Sequence, residues 1–164
     1  MKAMNIREIT KDELPQCVEV IRKSYETEAM AFGITEMNCP NHASFITLDQ
    51  LLLSTEWGLR YYGAFKDDEM IACFALEKKS DKEYELQYLS VTPDNRNSGV
   101  GAKCLEFAKN EVNRMGGTTI NAGAVPQSVM IRNWYEKNGF KQKEVHRITQ
   151  LPFALGIMSC NVEE

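Results

Sequence analysis

Apolar positions recur along this chain in two rhythms, and the points where one gives way to the other divide it into elements. MNIREIT alternates over residues 4–10 and predicts a first strand. From Leu14 the spacing becomes helical: Leu14, Cys17, Val18, Ile21 and Tyr25 share a face, predicting a helix to about Ala31. Thr10 with Glu13 fits a capping box, whereas Pro15 sits more easily behind a cap at Asp12. Residues 33–56 carry a proline turn and then an amphipathic piece, read as a loop and a short helix. LRYYGAF, MIACFALEKK and YELQYLSVT follow as three strands. The short charged turns KDDE and SDKE that join them predict antiparallel hairpins.

Helical spacing returns after Gly99. Val100, Cys104, Phe107, Ala108, Val112 and Met115 form one face, Lys103, Glu106, Asn110 and Asn113 another, and Gly116-Gly117 is the stop. TTINAGAV reads as a strand and SVMIRNWYEKN as a helix ended by Gly139. The tail reads as two strands, about 140–150 and 153–162, joined at Pro152. The order is β-α-(α)-β-β-β-α-β-α-β-β. Its strand–helix–strand unit predicts one pair of parallel neighbours in an otherwise antiparallel sheet. The expectation is a mixed α/β fold, one domain over 1–164, with helices on both faces of the sheet.

Composition changes this picture little. With 43% hydrophobic and 26% charged residues the chain is of ordinary globular type. No run reaches the ~18 apolar residues of a membrane span, and MKAMNIREITKDEL lacks the apolar core of a signal peptide, so the expected compartment is the cytoplasm. Five scattered cysteines without a C-x-x-C pair suit reduced thiols. A net charge of -4 without a Lys/Arg block argues against nucleic-acid partners. Cys39 and His42 in NCPNH offer only two metal ligands, with His146 the one other histidine, too few for a zinc site, so no metal is expected.

The chemistry concentrates at VTPDNRNSGVGAKCLEF, where a strand hands over to a helix. A helix start presents unpaired N–H groups and the positive end of a dipole. Gly99 and Gly101 would let an anion approach the backbone, and Arg96 adds a positive charge. Two glycines alone point first to a plain tight turn, since short glycine motifs have many chance matches. Neither G-x-x-x-x-G-K-[ST] nor a complete G-x-G-x-x-G is present, since Cys104 stands at the third glycine's place.

LSVTPDNRNSGVGAKCLEFA resembles the acetyl-CoA signature of the GNAT superfamily, the Gcn5-related N-acetyltransferases, with Arg96, Gly99 and Gly101 on the pattern [RQ]-x-x-G-x-[GA]. NWYEKNGF resembles a second family block at Trp134, Tyr135, Lys137, Gly139 and Phe140. The resemblance implies a GNAT sheet whose parallel strands splay apart, with the pantetheine arm of acetyl-CoA inserted between them. Its backbone partners would be Leu89 and Val91, and its pyrophosphate would lie on Arg96, Asn97, Ser98, Gly99, Val100, Gly101 and Ala102.

The family often carries Asn and Ala ahead of the tyrosine, where this chain has Ser128 and Ile131. Ser128 and Asn133 are therefore the candidates for a further cofactor contact. Tyr135 matches the tyrosine that protonates the leaving thiolate. Glu85, eleven positions before Arg96, matches the glutamate base of the histone-acetylating branch; alternation places it on one face with Gln87, Leu89 and Val91. Glu83, Tyr88 or a backbone-held water are the other candidates for the base.

The activity implied is direct acetyl transfer in a ternary complex to a primary amine, on a small molecule or a peptide. The alternatives are a non-catalytic CoA-binding module and an acyltransferase for a longer acyl group. Phe32, Met37, Cys39 and His42 fall where the family builds its acceptor wall, and FALGIMSCNV is apolar enough to pair across a homodimer interface.

Overall fold

The structure, a computed structural model, describes residues 4–124, 129–147 and 154–162, with backbone alone for 124, 144–147, 154 and 155. Ser128 and the junction at Pro152 lie outside the described residues. In chain order the elements are β1 (Asn5–Glu8), α1 (Leu14–Ala31), α2 (Leu48–Glu56), β2 (Arg60–Lys66), β3 (Glu69–Lys78) and β4 (Glu83–Val91). They continue with α3 (Val100–Arg114), β5 (Thr119–Ala124), α4 (Val129–Lys137), β6 (Lys141–Arg147) and β7 (Ala154–Asn161). A single 3-10 turn, Lys11–Glu13, precedes α1 and accommodates both start signals: the Glu13 carboxylate accepts the Thr10 N–H at 2.9 Å, and Pro15 falls in the first turn of α1.

The strands form one sheet in the order β1-β2-β3-β4-β5-β7-β6. Every neighbouring pair is antiparallel except β4 and β5, the parallel pair expected around α3. The β2–β3 hairpin turns on Asp67 (φ 55°) and Asp68 (φ 65°), the two left-handed residues that a tight primed turn requires.

Helices lie on both faces. On one, Tyr62, Phe74, Leu76, Leu86 and Ile120 pack with Cys104, Leu105, Ala108 and Val112 of α3 and with Tyr135 of α4. On the other, Tyr61, Met70, Cys73 and Ala75 pack with Leu14, Cys17 and Ile21 of α1 and Leu51 of α2. Strands β2 and β3 are thus covered twice, which is why MIACFAL is apolar without a break.

Tyr84, Leu86, Ile120, Ala122, Met158 and Cys160 are buried towards α3 and α4. The alternate positions of the same strands carry Glu85, Asn121 and Ser159, which stand side by side in register and share the opposite face. No helix among the described residues is long and apolar enough to cross a membrane.

Candidate active site

Strand β4 is irregular in two ways. Its pairing with β5 runs from Glu83↔Thr119 to Leu86↔Ala122 and stops, while β4 continues alongside β3 to Val91↔Ala72 and β5 alongside β7 to Ala124↔Gly156. The parallel pair therefore parts after Leu86. The β3–β4 register also steps from Cys73↔Ser90 to Ala75↔Gln87, two residues on β3 against three on β4. The extra residue makes a bulge in which Tyr88 takes φ 57°, a strained value for a bulky side chain.

The bulge corrects the alternation read from the sequence. Leu89 and Val91 pack on the α3 side of the sheet, whereas Tyr88 packs on the α1 side, stacked on Tyr61 at 6.4 Å. Glu85 and Gln87 alternate with Tyr84 and Leu86, which belong to the α3 side. Glu85 and Gln87 therefore do not share a face with Leu89 and Val91; one inserted residue reverses the phase.

Where β4 ends, a short 3-10 turn over Pro93–Asn95 leads through Arg96, Asn97 and Ser98 into α3. The Ser98 hydroxyl donates to the Asn95 carbonyl at 2.6 Å and closes the turn. Asn97 (φ 62°) and Gly99 (φ 85°) are both left-handed, a conformation that asparagine, like glycine, adopts at small cost. Gly99 caps α3 without a side-chain hydrogen bond, leaving the first N–H groups of the helix, through Ala102, without intrahelical partners, the arrangement an anion site needs.

The two glycines have separate causes. A Cβ at Gly99 would meet nothing within 4 Å, so conformation selects it. A Cβ at Gly101 would lie 2.9 Å from Cζ2 of Trp134, so the packing of α4 against the turn selects that one.

Helix α1 holds the same turn from the other side. The Arg96 guanidinium donates to the Ser24 carbonyl (2.7 Å) and to Thr27 Oγ1 (2.9 Å). The Val91 N–H donates to Ser24 Oγ at 3.3 Å, a long bond. The charge of Arg96 is thus fixed beside the turn by α1, and one of the two expected backbone partners already has a weak local acceptor. Ser24, Thr27 and Glu28 were not among the sequence candidates. Their one signal is polar residues at i, i+3 and i+4 on a helix read only for its apolar face.

Two groups are suited to proton transfer, Tyr135 of α4 and Glu85 of β4. Tyr135 is buried, with its ring edge-on to Phe140 and to Trp134, each at 5.2 Å. Burial raises its pKa above the ordinary phenol value, keeping the hydroxyl protonated. Tyr25 of α1 is likewise raised, first by burial and then by its neighbours Tyr135 and Glu28, which places it near Tyr135.

Glu85 is half-buried one residue before the strands part. Burial raises its pKa, the Lys79 ammonium pulls it down, and its cross-strand partner Glu77 pushes it up again. Gln87 Nε2 donates to Glu77 Oε1 at 2.5 Å, and Lys79 Nζ lies 3.1 Å from Glu77 and 3.9 Å from Glu85. Beside Glu85 in the register, Asn121 holds the one buried side-chain polar atom among the described residues without a partner, its Oδ1.

The other candidates are placed as follows. His42 is buried; its Nε2 lies 2.5 Å from Glu28 and its Nδ1 accepts the Ser44 N–H at 3.2 Å, so both ring nitrogens are engaged. Cys39 is 1% exposed in a small cluster with Ala29 and Ile34, flanked by Phe32, while Met37 is 96% exposed. Asn133 is exposed on α4, beside Val129, Met130 and Lys137 on the rim of a concavity of about 470 Å3. Among the described residues no group of three or more potential metal ligands is gathered.

Comparison with known proteins gives one consistent answer. Residues 57–142 match the family model described as an acetyltransferase (GNAT) domain. The ribosomal-protein-S18-alanine N-acetyltransferase of Escherichia coli superposes with a TM-score of 0.78 at 17% identity, over 99% of this chain and 96% of that one. The PaiA N-acetyltransferase of Thermoplasma acidophilum, solved with coenzyme A, gives 0.73 at 20% identity over 97% and 99%. An aminoglycoside 6'-acetyltransferase type Ii gives 0.74 at 17% identity over 98% of each chain. A search of curated proteins by sequence finds no match.

Proposed function

Because the chain belongs to the GNAT acetyltransferase family, we propose that it moves the acetyl group of acetyl-CoA directly to a primary amine. The observation that carries this reading is the coincidence of two features on β4: it parts from β5 after Leu86, and it runs into an uncapped helix start at Gly99. A parted parallel pair offers strand edges to an extended amide-bearing arm, and the helix start offers N–H groups to a pyrophosphate. In this reading Leu89 and Val91 bind the arm through their backbone, and the turn from Arg96 to Ala102 binds the phosphates. The weak Val91–Ser24 bond is exchanged for one to the arm.

The chemistry needs a base for the ammonium and an acid for the sulfur. Glu85 takes the proton from the acceptor ammonium, a task suited to a carboxylate whose pKa is raised by burial. The amine lone pair then attacks the thioester carbonyl carbon, the N–C bond forms and the C–S bond breaks. The sulfur takes its proton from Tyr135, and the second ammonium proton leaves the nitrogen as the amide forms and passes through water to restore the phenol. Burial that disfavours the phenolate disfavours the thiolate in the same place, so the transfer remains matched. No covalent enzyme intermediate is required when both substrates are held together.

The acceptor class is a primary amine of a small molecule or of a peptide. Neighbours of the same fold named for a ribosomal-protein alanine and for aminoglycosides support both. The test is acetyl-CoA turnover, read as thiol release, over a panel of amines, polyamines, aminoglycosides and short peptides. Acceptor-dependent release is expected. Tight CoA binding with no release on any acceptor would favour a CoA-binding module instead.

A further inference from the structure

Lys79 places a primary amine of the protein itself at the base. It follows directly on β3, and its backbone N–H donates to the Glu83 carbonyl at 2.9 Å, which fixes the root of the side chain at the mouth of the β3–β4 hairpin. From there the side chain turns back along the sheet. Its Nζ reaches Glu77 Oε1 at 3.1 Å and Glu85 Oε2 at 3.9 Å, with 45% of the side chain exposed. Glu77 and Glu85 are cross-strand partners, and β4 parts from β5 one residue past Glu85. The neighbouring Lys78 pairs instead with Asp81 at 3.7 Å, although it is the more exposed of the two at 57%.

We propose that Lys79 is a self-acetylation site: its ε-amine occupies the place of an acceptor amine and takes the acetyl group when no acceptor competes. The proposal rests on the roles given above to Glu85 and Tyr135. Glu85 removes a proton from the Lys79 ammonium, and the free amine attacks the acetyl carbonyl carbon. The new N–C bond replaces the C–S bond, Tyr135 protonates the departing sulfur so that CoA leaves as its thiol, and the second ammonium proton leaves the nitrogen as the amide forms and passes through water to restore the phenol. The products are free CoA and an uncharged amide at Lys79. Loss of the ammonium leaves Glu77 and Glu85 without their cation, so the modified protein presents a more negative acceptor face.

The experiment incubates the full chain with acetyl-CoA and no acceptor, maps acetylated lysines by mass spectrometry over time, and follows thiol release with the amine panel in parallel. Lys79 is expected to acetylate at least about tenfold faster than Lys78 or Lys82, as a base within contact distance implies. The rate should not depend on protein concentration, and Glu85→Gln should remove the preference. In Lys79→Arg no other lysine should take over. Labelling that follows exposure, with Lys78 as fast as Lys79, would overturn the proposal. So would an unchanged Lys79 rate in Glu85→Gln, or an unmodified Lys79 in protein that turns over external amines. Absence of acetyl-CoA binding would overturn the transferase reading as well, and is told apart by the parallel assay.

Discussion

The two halves of β4 obey different rules. From Glu83 to Leu86 the strand is bonded on both edges, and its side chains alternate between a buried row of Tyr84 and Leu86 and a polar row containing Glu85. From Gln87 to Val91 it carries a bulge, a left-handed tyrosine and an edge that β5 has left. The regular half holds the candidate base at a fixed place; the irregular half opens the space for a cofactor. Ordered pairing positions side chains, whereas interrupted pairing frees backbone groups, and the proposed reaction draws on both.

The largest effect should come from the acid that reaches this cleft from α4. Tyr135→Phe removes one hydroxyl from a buried ring, so CoA binding should persist while turnover falls by about 10²–10⁴-fold, measured as thiol release. Glu85→Gln tests the regular half and should cost about 10²-fold in kcat. Its sign in pH is distinctive. The base works as carboxylate, and its pKa is raised above the ordinary value. The acid limb of kcat/KM should therefore fall at a higher pH than an unperturbed glutamate would give, and should vanish in the Gln variant.

Gly101→Ala tests the packing of α4 on the turn. The new methyl would stand 2.9 Å from Trp134, and a loss of about 1–3 kcal/mol in chemical denaturation is expected. Arg96→Ala cuts the tie to Ser24 and Thr27. A loss of about 1.4 kcal/mol, or tenfold in Kd for CoA, should appear in calorimetric titration with little change in kcat. The smallest effect isolates the bulge. Tyr88→Gly loses the stack on Tyr61 but relieves the left-handed backbone, whereas Tyr88→Ala loses the stack without that relief. The Gly variant should be the more stable of the two by about 1 kcal/mol.

Much of the molecule was legible because it follows local rules. Alternation marked β1, apolar runs bounded by a short charged turn marked β2 and β3, helical spacing marked α1 and α3, and the strand–helix–strand order predicted the parallel pair at β4 and β5. The turn from Arg96 to Gly101 stood out in the sequence through its likeness to the GNAT signature, since two glycines before a helix suit a plain turn as well. The face of Leu89 and Val91 was misread because a bulge adds one residue without any break in the apolar pattern, and a period of two cannot register it. The hold of α1 on the turn escaped notice because Ser24 and Arg96 are far apart in the chain, and hydrogen bonds across such a span leave no periodic trace. The contacts of Glu28 with His42 and of Ile34 with Cys39 left no trace for the same reason: only the folded chain brings them together.

The most direct test of the central claim, that acetyl-CoA lies between the parted strands with its phosphates on the turn, is an amide NMR titration of the protein with acetyl-CoA. Saturating shifts at Leu89, Val91 and the residues from Asn97 to Ala102, with β1 and β2 unmoved, are the predicted result. Shifts confined to other surfaces, or no saturable shift at the turn, would contradict it.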